Sequence, residues 1–288
     1  MRRSHFLSQR SLALAAASAA LLAGCGPADD SGANRADDGP VLNLPGVPTP
    51  PPPMGRAELL AATAQAASAA AAGIAAGDAQ RSLDGRQFEL RIRFGCAGPA
   101  ASLPETPLGW AYDPEKRTLR LRAMPSISAD GDVVAVLGGD RFEAIEGFWI
   151  PRPWLLEAVC PAAVAETGLA ADGEGAEADA APDAEPQPAV VLPRVGIAQF
   201  YTSADPRTGR RSERAYEAVK TLDGKAPGAE GFNLVLSGRL RAVPGRGVIA
   251  CAVTGPDRPP DCIISADFDR VWIENPVGRE VLAEWRSS

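Results

Sequence analysis

Prolines at alternate positions in Phe148-Trp149-Ile150-Pro151-Arg152-Pro153-Trp154 remove backbone donors, so this run belongs at a sheet edge or outside a sheet. There it can display Trp149, Arg152 and Trp154, and tryptophans flanking an arginine suit glycan stacking or a protein contact. The same tryptophans would equally plug a core or cover Cys160. A second cluster, Arg207, Arg210, Arg211 and Arg214, surrounds the loop Asp205-Pro206-Arg207-Thr208-Gly209 and offers donors to phosphate or carboxylate, or forms a solvated turn. Asp205 and Glu213 offset part of that charge. Paired carboxylates, Asp130 with Asp132 or Asp267 with Asp269, are what histidine-free glycoside hydrolysis would use, although both pairs also read as turn residues.

The only histidine is His5. Its position near the N-terminus, in a segment expected to be removed, takes Ser-His-Asp triads, histidine general bases and histidine-ligated metals out of consideration for the mature chain. No Gly-x-Ser-x-Gly, Ser-x-x-Lys or phosphate-loop pattern occurs. Nothing in the chain calls for a cofactor or a metal. Three lysines stand against 26 arginines, and the formal charge is -7. Seven acidic residues between Glu166 and Glu185 carry most of the excess, leaving the rest nearly balanced and no basic surface for nucleic acid.

Apart from Cys25, the cysteines are Cys96, Cys160, Cys251 and Cys262, an even set for which two disulfides are expected in an oxidising compartment. Of the three pairings, Cys96 with Cys160 and Cys251 with Cys262 is preferred. The second pair brackets Gly255-Pro256-Asp257-Arg258-Pro259-Pro260, a turn-forming run that would set the two sulfurs opposite each other in a hairpin. A four-cysteine metal site is disfavoured because no Cys-x-x-Cys pair is present.

Cys25 itself follows the cationic Arg2, Arg3 and Arg10, an apolar run from Leu12 to Leu22, and the small residues Ala23 and Gly24. Leu22-Ala23-Gly24-Cys25 resembles the lipobox of bacterial lipoproteins. The resemblance implies a signal peptide over residues 1–24, cleavage before Cys25, and a diacylglycerol on the Cys25 sulfur. Two or three acyl chains, at about 0.8 kcal/mol per buried methylene, hold a protein essentially permanently on a membrane. Gly26 is not the aspartate that marks inner-membrane retention in some bacteria, which points to the outer membrane, facing the periplasm or the cell surface.

The elements that must position these groups follow in chain order. Residues 25–55, rich in Asp, Gly and Pro and ending in Pro48-Thr49-Pro50-Pro51-Pro52-Pro53, read as a stalk. Residues 56–80 are dominated by alanine and predict a helix. Phe88 to Phe94 alternates apolar and polar side chains, and so does Thr118 to Arg122, with a turn at Asp113-Pro114-Glu115-Lys116 closing a hairpin from Trp110. Val133 to Leu137 and Phe142 to Ile150 are further strand candidates. Residues 161–188 hold nothing to bury and read as an acidic linker. After it, Ala189 to Ser203, Ala215 to Leu222, Phe232 to Val243, Val248 to Thr254, Cys262 to Ala266 and Arg270 to Glu274 read as strands, with Val281 to Trp285 strand or helix.

Many short strands predict a mainly β fold, an antiparallel sandwich or barrel, with an N-terminal Ala-rich helix. An echo of Arg120-Leu121-Arg122-Ala123-Met124-Pro125 in Arg239-Leu240-Arg241-Ala242-Val243-Pro244 raises two related lobes, 81–160 and 189–288. The expected role is non-catalytic: a lipid-anchored envelope protein, held to the membrane through Cys25, that binds an envelope protein or glycan or serves structurally. The alternative is a carboxylate-dependent hydrolase of envelope polysaccharide or peptide, which requires two acids converging in a cleft. A third reading, an edge strand completed by a partner, requires a long unpaired strand.

Overall fold

The structure, a computed structural model, describes residues 50–75, 77–161, 193–208, 210–211, 214–223, 226–228 and 230–286. The expected signal peptide, Cys25, most of the stalk and nearly all of the acidic segment lie outside them. Among the described residues no helix is long and apolar enough to cross a membrane.

The alanine-rich segment forms α1 (Arg56–Ala71), opened by a capping box in which the Gly55 N–H donates to Glu58 at 2.5 Å. Leu59, Leu60, Thr63 and Ala66 are its buried stripe. The expected helix to residue 80 is not continuous. Gly73, at φ +66°, enters the left-handed region and ends it, and a separate short turn, α2 (Asp78–Arg81), follows.

β1 (Gln87–Phe94) buries Phe88, Leu90, Ile92 and Phe94 on one face, as its period of two requires. β2 (Leu108–Asp113) and β3 (Thr118–Ala123) make the expected hairpin, whose turn is held by Asp113 accepting the N–H groups of Glu115 and Lys116, both at 3.1 Å. Val133 to Leu137 does not extend. It is a short helix, α3 (Asp132–Val136), because a helical turn brings Val133, Val134 and Leu137 onto one buried face. The remaining strands are β4 (Ala144–Trp149), β5 (Val195–Tyr201), β6 (Tyr216–Thr221), β7 (Phe232–Leu240), β8 (Ile249–Ala252), β9 (Asp261–Glu274) and β10 (Val281–Arg286).

The chain is thus mainly β, built from a seven-stranded and a three-stranded sheet. The large sheet runs β1-β7-β9-β5-β4, with β8 and β10 also on β9; the small one is β2-β3-β6. The two strands expected at Cys262 to Ala266 and Arg270 to Glu274 are halves of β9. The first half pairs with β8 and β5 and the second with β10, while β7 runs along Ala266 to Glu274 across a register shift between Ser237 and Gly238. All pairs are antiparallel except β5 with β9, which is parallel.

Strands before and after the acidic segment pair with each other, β1 with β7, β3 with β6 and β4 with β5. The described strands of the two expected lobes, 81–160 and 189–288, therefore complete one another's sheets rather than forming separate lobes. The echoed Arg120-Leu121 lies on β3 and Arg239-Leu240 on β7, strands of different sheets. One core joins the sheets: Trp110, Leu119 and Leu121 from the small sheet cluster with Leu90, Leu234 and Ile273 from the large one. Full burial of such side chains contributes roughly 1.5–3 kcal/mol each.

Candidate binding surface

β4 leaves its sheet where the prolines say it should. The Ile150 N–H makes a last bond to Val195 at 2.8 Å, Pro151 and Pro153 offer no donors, and Arg152 turns the chain at φ +51°. The strap that follows, residues 151–160, is fixed by two arginines and a disulfide. The guanidinium of Arg56, only 8 % exposed at the start of α1, donates to the carbonyls of Leu155 (2.8 Å), Pro151 and Arg152 (both 3.0 Å) and Arg91 (3.3 Å). Burial, assisted by the nearby Arg152 charge, lowers its pKa to about 10, so it stays cationic at neutral pH. Arg93 holds the carbonyl of Ala158 at 3.0 Å, and Cys96 bonds Cys160 with a Cα–Cα distance of 5.5 Å. The expected pairing of Cys251 with Cys262 also forms, joining facing residues of β8 and β9.

The three residues singled out in the sequence take different positions. Trp149 is half-buried against the small core of Ile127, Val133 and Ile145, beneath the guanidinium of Arg194 at 3.9 Å. It is not on the strap. Arg152 lines a groove of about 750 Å³ with Phe94, Pro99, Leu108 and Pro151, beside the Cys96–Cys160 bond. Its guanidinium reaches the Arg93 carbonyl at 3.4 Å and Cys96 Sγ at 3.6 Å, and among the described residues no carboxylate pairs with it. Gly95 at the groove is obligatory: at φ +71°, a Cβ there would lie 2.3 Å from the Trp110 ring. Trp154 stands on the crest of the strap, 53 % exposed, followed by the exposed Leu156 and Val159. These two, and the clamps Arg56 and Arg93, gave no periodic signal in the sequence; single apolar residues beside Glu157 resemble ordinary loop.

The Arg207 to Arg214 cluster divides, with Arg207 and Arg214 exposed and Arg210 and Arg211 turned inward. Arg210 is buried and ties Thr202 and Pro206 carbonyls to Glu143, while Arg211 lies 4.0 Å over the Tyr216 ring. Neither expected acid pair converges in a cavity: Asp130 and Asp132 flank the start of α3, and Asp267 sits beside the β9 irregularity, 3.3 Å from Arg241. A different pair, Asp130 and Glu143, does line one groove of about 510 Å³. Both are held below the usual carboxylate range, Asp130 by the Ser128 hydroxyl and Glu143 by Arg210, so neither keeps the proton a general acid needs.

Among the described residues burial pushes two carboxyls upward: Asp267, and Glu146, 4 % exposed on β4, which reaches about 7 with Arg211 opposing. Glu146 accepts a hydrogen bond from the Tyr216 hydroxyl in a small cavity of about 40 Å³, room for water but not for a sugar. Glu274, the other buried acid, is satisfied by Arg91 (2.9 Å), Asn233 (3.1 Å) and the Trp272 indole (2.9 Å). Among the described residues no group of acids, cysteines or histidines is arranged to hold a metal. The chain matches no family model, no curated protein and no solved structure.

Proposed function

We propose that this chain is a lipid-anchored protein of the bacterial cell envelope, held in the outer membrane by acyl groups on Cys25 and acting as a non-catalytic binding or structural module. The observation that carries the reading is the groove beside the Cys96–Cys160 bond: a largely apolar trough with Arg152, unpaired with any carboxylate among the described residues, at one side. Such a trough recognises an apolar segment ending in an anionic group, as an envelope protein or an acidic glycan presents. Two disulfides fit an oxidising compartment and support export. Against the hydrolase alternative, Glu146 and the acid pair that shares a groove lie in different cavities.

The test is crosslinking of the anchored protein in its native envelope, with mass spectrometry of the adducts and of the N-terminal peptide. Acylated Cys25 and a discrete adduct that falls at least tenfold in Arg152→Ala, with both disulfides intact, are the expected results. An unchanged adduct in Arg152→Ala removes the groove from the reading, and an unmodified Cys25 removes the anchor.

A further inference from the structure

The large apolar side chains left in water are not scattered. Of the eight exposed ones among the described residues, five lie on two segments: Trp154 (53 %), Leu156 (59 %) and Val159 (42 %) on the strap, Val277 (66 %) and Val281 (43 %) at the β9–β10 turn. The two segments are neighbours, since Leu156, Val159, Pro276 and Arg279 line a common groove of about 400 Å³. Gly55 lines it too. The described chain begins five residues before Gly55, so this face adjoins the point at which the segment leading back to Cys25 enters the domain.

Backbone conformation marks the same face. Arg152 and Arg279 hold φ of +51° and +55°, two of the three non-glycine residues in the left-handed region. Glycine would adopt those conformations freely, whereas an arginine there is strained. Arg279 adds exposed cationic reach to the face, with no carboxylate among the described residues within ion-pair distance, whereas the half-buried Arg152 guanidinium turns into the groove beside Cys96. Arg152 and Arg279 are matched by Glu157 and Glu280 on the same two segments, so the charge balances and apolar contact dominates.

We propose that the strap crest and the β9–β10 turn form a lipid-contacting face that seats the domain on the headgroup layer of the membrane that holds the anchor. This rests on the lipid-anchored reading, and it involves the crest rather than the groove at Arg152. Tryptophan, short aliphatic side chains and arginine together are the composition that membrane–water interfaces favour. The anchor need not be supplemented for retention. Its effect is to raise the local lipid concentration, so that a face with only five apolar side chains stays engaged. Twenty-five residues from Cys25 to Pro50 span at most roughly 90 Å, which permits this seating without requiring it.

The test uses the full anchored chain in vesicles of phosphatidylethanolamine and phosphatidylglycerol whose acyl chains carry bromine, a short-range quencher of tryptophan. Trp110 and Trp272 are buried, at 3 % and 4 % exposure, and Trp149 and Trp285 are half-buried against the cores, so Trp154 is the most exposed of the five tryptophans and the one placed to meet lipid. Emission quenching is expected in the native chain, and is expected to disappear in Trp154→Phe. In the Cys25→Ser chain, lipid titration should give weaker binding that falls at least tenfold in Leu156→Asp and about fivefold in Arg279→Ala. Absence of quenching in a chain shown by mass spectrometry to be acylated overturns the face and leaves the anchor standing. An unacylated Cys25 together with vesicle binding of the same chain does the reverse. A photo-reactive residue at position 156 that captures one protein rather than lipid in the native envelope also overturns it, assigning the crest to that protein.

Discussion

Replacement of Glu146 by glutamine isolates a single proton. In the folded chain the carboxyl is pushed up to about 7 by burial, against an ordinary value of 4.5. Between those values the folded protein holds a proton that the unfolded chain has lost. Stability is therefore fully present below pH 4.5 and is lost as pH rises through 7. At 1.36 kcal/mol per unit, integration over the two titrations gives a fall of about 2.5 kcal/mol between pH 5 and pH 8, or roughly 5–10 °C in Tm for a domain of this size. Arg211 opposes the shift but does not cancel it. Asp267 is also raised by burial, but it is unchanged in the variant, so the difference between the two proteins reports Glu146 alone. The only histidine, His5, lies within the expected signal peptide, which keeps this pH range clear of imidazole in the mature chain. Urea unfolding with disulfides intact, at half-unit steps from pH 5 to 8, is the assay. Glu146→Gln keeps an acceptor for the Tyr216 hydroxyl and should be flat relative to native. Parallel curves for the two proteins would refute the reasoning.

Arg56→Met should cost about 3 kcal/mol, since four carbonyls lose a charged donor, and should raise amide exchange and proteolysis selectively at residues 151–158. The two disulfides should differ: the Cys96–Cys160 link encloses 64 residues and the Cys251–Cys262 link 11, so removal of the first should cost about 4 and of the second about 3 kcal/mol, read as Tm of each paired alanine variant. Gly238→Ala should prevent folding or destabilise by more than about 3 kcal/mol, because its Cβ would fall 1.9 Å from the Asp267 carbonyl oxygen; soluble yield and thermal melting are the checks.

What the sequence made legible was local. β1 and the β2–β3 hairpin announce themselves because each buries one face, and the turn at Asp113 is held by its own side chain. Val133 to Leu137 misleads because a short run of valines has high β propensity, whereas packing around Leu137 and Val134 rewards one helical turn. β9 was divided because Asp267 and Asp269 look like a break. They lie at an irregularity facing Gly238, where an extended strand tolerates polar residues without ending. Strand order was not legible, since β4 meets β5 and β1 meets β7 across long stretches of chain. The alternate prolines did mark where the chain leaves the sheet. Assigning Trp149 to the display failed because it is the last residue of β4, and alternation turns it to the second core while Phe148 faces the first.

The excess of arginine over lysine, attributable on sequence alone to nucleotide composition, has a structural use here. Arg56, Arg93 and Arg210 each bond several backbone carbonyls at once, a task that suits a planar guanidinium with five donors and not a point-like ammonium. Two of these three clamps, and one of the two disulfides, act on the same strap. A loop that merely left β4 for the acidic segment would need none of them, because exposed chain satisfies its carbonyls with water. Fixing the strap instead orders about ten residues, at a conformational cost of roughly 1–2 kcal/mol each. The result holds Trp154, Leu156 and Val159 in solvent, which gains nothing for the fold. That combination, a costly rigid support under apolar side chains the core does not use, is the physical reason to place the protein's contact with its surroundings there.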